Sequence, residues 1–139
     1  MAAQDILNVN SLLGNCQKKR KSSIINLMFI VEFYKSPNGK EVVKKTYFEY
    51  SDKQRAKIAK SMANLKEYGI NQAIANLRKL LGTHLWEYRI LGKDNIRIIC
   101  VSLPSNRIMV LHIFTKKSQK TSTKDLKTSI ERYKLVLDK

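Results

Sequence analysis

The stretch from residue 85 to residue 121 constrains the fold of this chain more than any other part of its sequence. It reads LWEYRILGKDNIRIICVSLPSNRIMVLHIFTKKSQKT, with apolar runs separated by Gly-Lys-Asp and by Pro-Ser-Asn. Runs rich in β-branched residues and bounded by turn residues are typical of β-strands. Strands joined by such short turns must be antiparallel. The sequence therefore predicts a three-stranded meander, with strands at about 84–91, 95–103 and 107–114.

Two arginines are predicted to face each other across the first two of these strands. If the Gly-Lys-Asp turn is a three-residue loop, Arg89 lies directly opposite Arg97 on one sheet face. Like charges placed opposite each other destabilise a sheet. We therefore expect the pair to hold an anion. The alternatives are that the arginines project into solvent or pair with Glu87 and Asp94.

The charge of the whole chain also indicates a negatively charged partner. The 139 residues include 27 Lys and Arg against 11 Asp and Glu, a formal net charge of +16, and 43% hydrophobic residues argue for a folded core. Such a field favours RNA, DNA, an anionic membrane or an acidic protein. The longest apolar run, residues 24–31, is far shorter than the roughly 20 residues of a membrane-spanning helix. We therefore expect no membrane association.

The cysteine and histidine content argues against a disulfide framework and against a zinc site. The chain has two cysteines, Cys16 and Cys100, and two histidines. Cys100 lies within an apolar strand, where a free thiol behaves as a small hydrophobic group. We expect no metal and no cofactor, and a reducing cytoplasm as the setting of the protein.

The first 26 residues differ from the rest of the chain. They show no sustained periodicity, and their charges are four basic residues against Asp5. One interpretation is a flexible basic tail before a folded domain at 27–139. The other is that the protein begins at Met28, with the preceding residues added by a start codon assigned too far upstream.

The remaining patterns complete an α+β fold. Residues 28–34 predict a strand. Residues 41–50 favour a short helix, although their alternation also allows a strand. Ser51 and Gln54 form a capping box for a helix that ends at Gly69, and an apolar stripe predicts a second helix over about 71–81. A last helix begins at Ser122 or Thr123. The expected order is an N-terminal strand, a helical hairpin, the antiparallel meander and a C-terminal helix, with the helices on one sheet face.

Several of these motifs together resemble one protein family. LWEYR, an IRI strand and FTKKSQKT, preceded by the helix AKIAKSMANLKEYG and a Leu-Leu-Gly junction, resemble the phage-derived RelE/HigB-like toxins of type II toxin–antitoxin systems, within the RelE/ParE superfamily. The resemblance covers residues 28–139. It implies a RelE-like fold and a ribosome-dependent, metal-independent endoribonuclease that cuts mRNA. It also implies a cognate antitoxin, typically of the helix-turn-helix type.

The resemblance extends to individual positions. Arg89 matches the arginine that closes the family's Leu-Trp-Glu-Leu-Arg block, and Arg97 matches the arginine of the following strand. His112 falls where relatives often carry histidine, although Ile113 stands where they commonly have glycine. Ser122 replaces a proline of the family's basic block. The predicted catalytic residues are Arg89, Arg97, His112 and Lys117, and the predicted RNA-binding residues are Lys116, Lys120, Arg107 and Lys93.

The chemistry of RNA cleavage is compatible with these residue types. Attack by a 2′-hydroxyl on its own phosphodiester needs a base, cations for the charge on phosphorus, and an acid for the leaving oxygen. Arg89 and Arg97 would form a bidentate phosphate clamp. A lysine whose pKa is lowered by neighbouring cations would serve as the base, and which lysine does so stays open. His112 is either an acid–base residue or a partly buried structural histidine that shares a face with Val110.

Two other functions fit the same sequence. One is the ParE-like mode, in which the fold inhibits DNA gyrase by binding and cuts nothing. The other is a basic nucleic-acid-binding module without catalysis, including a toxin that has lost its activity. Binding with a steep salt dependence and no strand breaks would favour the latter.

Overall fold

The computed structural model describes residues 28–117 and 122–138. The possible tail at residues 1–26 lies outside them, as does Cys16. Along the described chain the elements are β1 (Ile30–Phe33), α1 (Val42–Glu49), α2 (Asp52–Tyr68), β2 (Leu77–Lys79), β3 (Trp86–Ile90), β4 (Ile96–Leu103), β5 (Arg107–Thr115) and α3 (Thr123–Leu137).

The strands form one five-stranded sheet in the order β1-β5-β4-β3-β2. Strands β3, β4 and β5 are consecutive antiparallel neighbours, which confirms the predicted meander. Strand β1 pairs in parallel with β5, and β2 adds an antiparallel strand beside β3. The sheet therefore has β4 near its centre and the two short strands at its edges.

Two helices follow β1 and are joined by a short connection at Tyr50 and Ser51. The short helix favoured by the sequence is confirmed as α1, and α2 begins with the predicted capping box of Ser51 and Gln54. Gly69 ends α2 with φ of 71°, a backbone conformation that glycine adopts at little cost.

The predicted second helix over 71–81 is wrong. Those residues form turns and then β2, in which Leu77 is buried and pairs with Tyr88. The Asn71 side chain accepts a hydrogen bond from the Ala73 amide, a local contact that competes with helix formation. The predicted hairpin of this helix with α2 is therefore not formed, and β2 follows α2 instead.

Helices cover both faces of the sheet, so the expectation that all of them pack on one face is wrong. Asn64 of α2 donates a hydrogen bond to Tyr88 on β3, whereas Asp125 of α3 contacts His112 on β5. Tyr88 pairs with Ile98 in β4 while His112 pairs with Ile99, and adjacent strand residues point to opposite faces. The six consecutive buried residues from Ile96 to Val101 have the same cause, because a strand covered on both faces is buried along its length. Arg97 is the one charged residue among them.

A β-bulge between β4 and β5 sets the direction of His112. The register shifts so that Ile99 pairs with His112 and Cys100 pairs with Val110, which leaves Leu111 as an extra residue. Paired residues share a face, so His112 and Val110 lie on opposite faces. The sequence-based expectation that His112 shares the face of Val110 is therefore wrong.

Candidate active site

The two arginines are paired as the sequence predicts. Arg89 of β3 and Arg97 of β4 are direct Cα partners in the register, which confirms their predicted opposition, and the paired positions end at Ile90 and Ile96. The two differ greatly in exposure: the Arg89 side chain is 26% exposed and the Arg97 side chain 4%. The pair thus consists of an accessible guanidinium and a buried one.

A carboxylate accompanies the pair. Glu87 Oε1 lies 3.8 Å from Nε of Arg89 and 3.9 Å from Nε of Arg97. These distances allow attraction between the charges but are too long for hydrogen bonds. Arg97 Nη1 donates instead to the carbonyl oxygen of Ile96, at 3.2 Å. We call Glu87, Arg89 and Arg97 the arginine site.

The electrostatics of the site follow from burial. Burial lowers the pKa of the Arg97 guanidinium, Glu87 opposes that shift, and the charge of Arg89 adds to it. An arginine remains charged at every physiological pH in spite of such a shift. The arginine site therefore carries two positive charges against one negative charge in a poorly hydrated setting.

His112 lies on the same sheet face as the arginine site. Its register partner Ile99 follows Arg97 by two residues on β4. Arg132 of α3 donates from Nη1 to His112 Nδ1 at 3.3 Å, so Nε2 carries the hydrogen and donates to Asp125 Oδ1 at 2.8 Å. Burial lowers the pKa of His112, Arg132 lowers it further, and Asp125 opposes both. Both ring nitrogens of a neutral imidazole are thus used to attach α3 to the sheet.

Sequence reasoning missed these two partners of His112. Asp125 and Arg132 are seven residues apart on α3, about two helical turns, and so face the same side. That spacing is visible in the sequence, but nothing local indicates which strand residue the pair contacts.

The predicted lysines lie at one end of the sheet. Lys93 is exposed in the β3–β4 turn, and Lys117 is exposed just after β5. Asn95 joins the two segments, because its carbonyl accepts from the Lys116 amide at 2.9 Å and its side-chain Nδ2 donates to the Lys116 carbonyl at 2.7 Å. Lys120 lies outside the described residues.

A row of lysines on α2 adds to this end and was missed from the sequence. Lys53, Lys57 and Lys60 are all exposed, and their i, i+4, i+7 spacing places them on one helical face. Lys57 forms an ion pair with Asp94, the neighbour of Lys93 in the β3–β4 turn. The spacing itself was the available signal. We call these three lysines together with Lys93, Lys116 and Lys117 the basic edge.

Arg107 is not part of this arrangement. It begins β5, a nine-residue strand, and so lies about 30 Å from the basic edge along an extended chain. Its guanidinium bonds Glu32, with Nε 2.7 Å from Oε1, and this hydrogen bond raises the pKa of Arg107. The grouping of Arg107 with the lysines is therefore not found in the structure.

Neither a metal centre nor a spanning helix is found in the parts of the chain that the structure describes. Residues 28–117 and 122–138 contain no group of three or more His, Cys, Asp or Glu side chains placed to hold a metal ion. No helix within those ranges is long and apolar enough to cross a membrane. Cys100 is a buried free thiol, and burial raises its pKa to about 12.

Comparison with known protein families assigns the chain to one of them. The family model described as Phage derived protein Gp49-like (DUF891) matches residues 45–134, well over half of the chain. The chain belongs to the Gp49-like family. This is a family of RelE-like toxins, so membership implies an antitoxin partner for this Gp49-like protein. The matched region spans the arginine site and the described residues of the basic edge.

The fold of this Gp49-like protein is also found in a solved toxin structure. A free-state structure of E. coli toxin RelE, an arginine-to-alanine double mutant, aligns with a TM-score of 0.57 and 13% sequence identity, covering 76% of this chain and 98% of the RelE chain. At that identity the likeness shows the fold, and it confirms the RelE-like fold predicted from the sequence. No curated protein matches the chain by sequence.

Proposed function

We propose that this Gp49-like protein is the toxin of a type II toxin–antitoxin system and inhibits translation as a ribosome-dependent endoribonuclease that cuts mRNA. The observation that carries the proposal is the arginine site, with Arg89 directly opposite Arg97 on one sheet face and a partly exposed guanidinium above a buried one. Guanidinium groups bind phosphate oxygens with charge-assisted hydrogen bonds. The site is thus suited to a phosphodiester.

The proposed reaction is a transesterification within the RNA. The 2′-hydroxyl oxygen forms a bond to phosphorus, the bond from phosphorus to the 5′ oxygen breaks, and the products are a 2′,3′-cyclic phosphate and a 5′-hydroxyl. Arg89 contacts the non-bridging oxygens, and Arg97 adds positive charge from beneath. Preorganised charges of this kind act where negative charge develops in the transition state, so the step proceeds without a metal ion.

Proton transfer is assigned to the lysines in preference to His112. Both ring nitrogens of His112 are engaged, by Arg132 and by Asp125. Lys117, in contrast, is exposed just after the end of β5, three residues beyond Phe114, the register partner of Arg97. We propose that Lys117 exchanges a proton with the reacting oxygens, and that His112 fixes the position of α3.

The basic edge is proposed to dock the protein on the ribosome. Its six exposed or half-exposed lysines extend from α2 across the β3–β4 turn to the end of β5. Contacts between lysines and phosphates release counterions, so binding to RNA should weaken steeply with salt. A ribosome-bound mRNA would then be presented to the arginine site rather than captured from solution.

The antitoxin is proposed to be a helix-turn-helix protein that covers this basic surface and represses its own operon. The neighbouring reading frame gives an inexpensive check. A short helix-turn-helix gene beside this one supports the pairing. Co-expression of that gene should then relieve growth inhibition by the toxin.

Three assays separate this function from its rivals. Purified protein is incubated with mRNA on programmed ribosomes, with supercoiled DNA and gyrase, and with RNA alone at several salt concentrations. The proposal predicts cuts on the ribosome that disappear when the nucleotide 5′ to the scissile phosphate carries 2′-deoxyribose. Inhibited supercoiling without cuts would establish the ParE-like mode, and salt-sensitive RNA binding without cuts would establish a binding module.

A further inference from the structure

The arginine site contains a carboxylate that the proposed chemistry does not use. Glu87 is 7% exposed and lies within 4 Å of both guanidinium Nε atoms. A buried carboxylate next to two cations would ordinarily form short hydrogen bonds to at least one of them. Glu87 forms none that meets hydrogen-bond geometry with either arginine Nε.

Three buried polar atoms at this place lack a hydrogen-bond partner in the structure. They are Oε2 of Glu87, Nε of Arg89 and Nε of Arg97. An unsatisfied buried charged group costs more than the net gain from an ordinary hydrogen bond, and folded proteins contain few of them. Their concentration in one site indicates a position that is completed by a ligand. Because the two Nε–H groups are donors, an anion with acceptor oxygens would satisfy them. The unpaired Glu87 Oε2 is itself an acceptor, and it would repel such a ligand rather than be satisfied by it.

The register explains why a carboxylate is needed when no ligand is bound. Arg89 and Arg97 are direct partners across the strands, and two like charges in that arrangement repel each other. Glu87 precedes Arg89 by two residues and therefore points to the same face. Its charge reduces the repulsion, but its side chain does not reach far enough to satisfy the donors.

We propose that Glu87 is a positioning residue that holds the place of a phosphate group between Arg89 and Arg97. The inference rests on the proposed function only in identifying that phosphate with the RNA backbone. Phosphate entering from the exposed Arg89 side satisfies the orphaned Nε–H donors and competes with the carboxylate for both cations. Glu87 thus keeps the pair oriented while it weakens ground-state binding of the anion.

Inorganic phosphate is the probe for the first test. Glu87→Gln keeps the shape of the side chain and removes its charge. The variant should bind phosphate at least about tenfold more tightly than the wild type. The free energy of a tenfold change is a modest fraction of the interaction energy of two unit charges about 4 Å apart. Titration at constant ionic strength, followed by calorimetry, measures the dissociation constants.

Glu32→Gln is the matched control. It makes the same change in net charge on the same sheet, but Glu32 pairs with Arg107, outside the arginine site. Its affinity for phosphate should stay within about twofold of the wild type, because surface charges beyond about 10 Å are largely screened at ordinary salt. Equal affinity in the wild type and both variants overturns the inference, as does equal tightening by both substitutions.

A second measurement uses the unmodified protein, so it does not depend on the folding of a variant. Phosphate titrated into labelled wild-type protein should shift the Nε–H resonances of Arg89 and Arg97 together and saturably, with no shift at Arg107. Absence of a shift at the pair, or an equal shift at Arg107, overturns the inference. Failure of ribosomal cleavage, with both phosphate results as expected, would instead remove the proposed function and leave the role of Glu87 intact.

Discussion

Replacement of Arg97 by methionine should separate the electrostatic role of this side chain from its role in packing. The side chain is 4% exposed, its carboxylate neighbour Glu87 Oε1 is 3.9 Å away, and burial lowers the pKa of the guanidinium. A buried ion costs several kcal/mol unless well-formed hydrogen bonds offset that cost. Glu87 is too distant to provide them and is shared with Arg89. Removal of one partner of a buried pair is destabilising when it leaves the other charge unpaired. Here Glu87 keeps Arg89 as a partner, and removal of Arg97 also relieves its repulsion of Arg89, so the loss of the buried charge should not lower stability.

Chemical denaturation followed by circular dichroism measures this effect. Arg97→Met should unfold at the same or a higher denaturant concentration than the wild type, while its cleavage rate falls by roughly 100- to 1,000-fold. Arg107→Met is the matched control. Its pair with Glu32 has side chains that are 41% and 38% exposed, and exposed pairs contribute about 1 kcal/mol or less, so stability should fall slightly and cleavage should not change. A decrease of more than about 2 kcal/mol in the free energy of unfolding of Arg97→Met would refute the argument from burial. Cleavage by that variant at the wild-type rate would refute the role of Arg97 in the reaction.

Two further predictions concern stability. Burial lowers the pKa of His112 below its usual 6.5, so the unfolded state binds a proton on this imidazole more tightly than the folded state does. The melting temperature should therefore fall as the pH drops below 6.5 and should level off above it. In His112→Gln, the melting temperature should depend less on pH between about pH 5 and 6.5 than it does in the wild type. The same pH dependence in both proteins would contradict the lowered pKa of His112 in the folded state. A Cβ at Gly69, where φ is +71°, would lie 2.5 Å from Cζ of Phe29, whereas one at Gly39, where φ is +85°, meets nothing within 4 Å. Gly69→Ala should therefore cost clearly more than the roughly 1 kcal/mol expected from backbone strain in Gly39→Ala, and equal losses in urea unfolding would exclude the steric contribution.

The meander could be predicted from the sequence because its determinants are local. The turn after Ile90 fixes the register of two neighbouring strands, so the opposition of Arg89 and Arg97 follows directly from the loop length. The family resemblance then supplied the fold as a whole. Both depend on residues close together in the chain.

The missed helix has a different cause. The spacing of the apolar residues Ile74 and Leu77 fits a helical stripe, and it fits equally well a turn followed by a short edge strand. Pairing of Leu77 with Tyr88 decides between them, and that contact is tertiary. The bulge at Leu111 is likewise a one-residue change in pairing that leaves no pattern in the local sequence.

The candidate site was predictable in its residue types and less so in its exposure. Alternation along a strand indicates which face a side chain is on, but not what covers that face. It could not show that Arg97 is buried while Arg89 is partly exposed. The partners of His112 come from α3, which begins eleven residues further along the chain, so its role as a contact between sheet and helix became visible only in the structure.

Mapping of mRNA ends on programmed ribosomes tests the central claim most directly. Wild-type protein should produce a discrete cut that leaves a 2′,3′-cyclic phosphate and a 5′-hydroxyl, and Arg89→Ala, which removes the accessible guanidinium, should slow that cut by roughly 100-fold or more. Lys79 is an exposed cation on the edge strand β2, and its register partner Trp86 lies on the sheet face opposite Arg89. Lys79→Ala should therefore cut mRNA on the same ribosomes at the wild-type rate. Intact mRNA in the presence of the wild-type protein, or an equal rate of cutting by Arg89→Ala, would contradict the account.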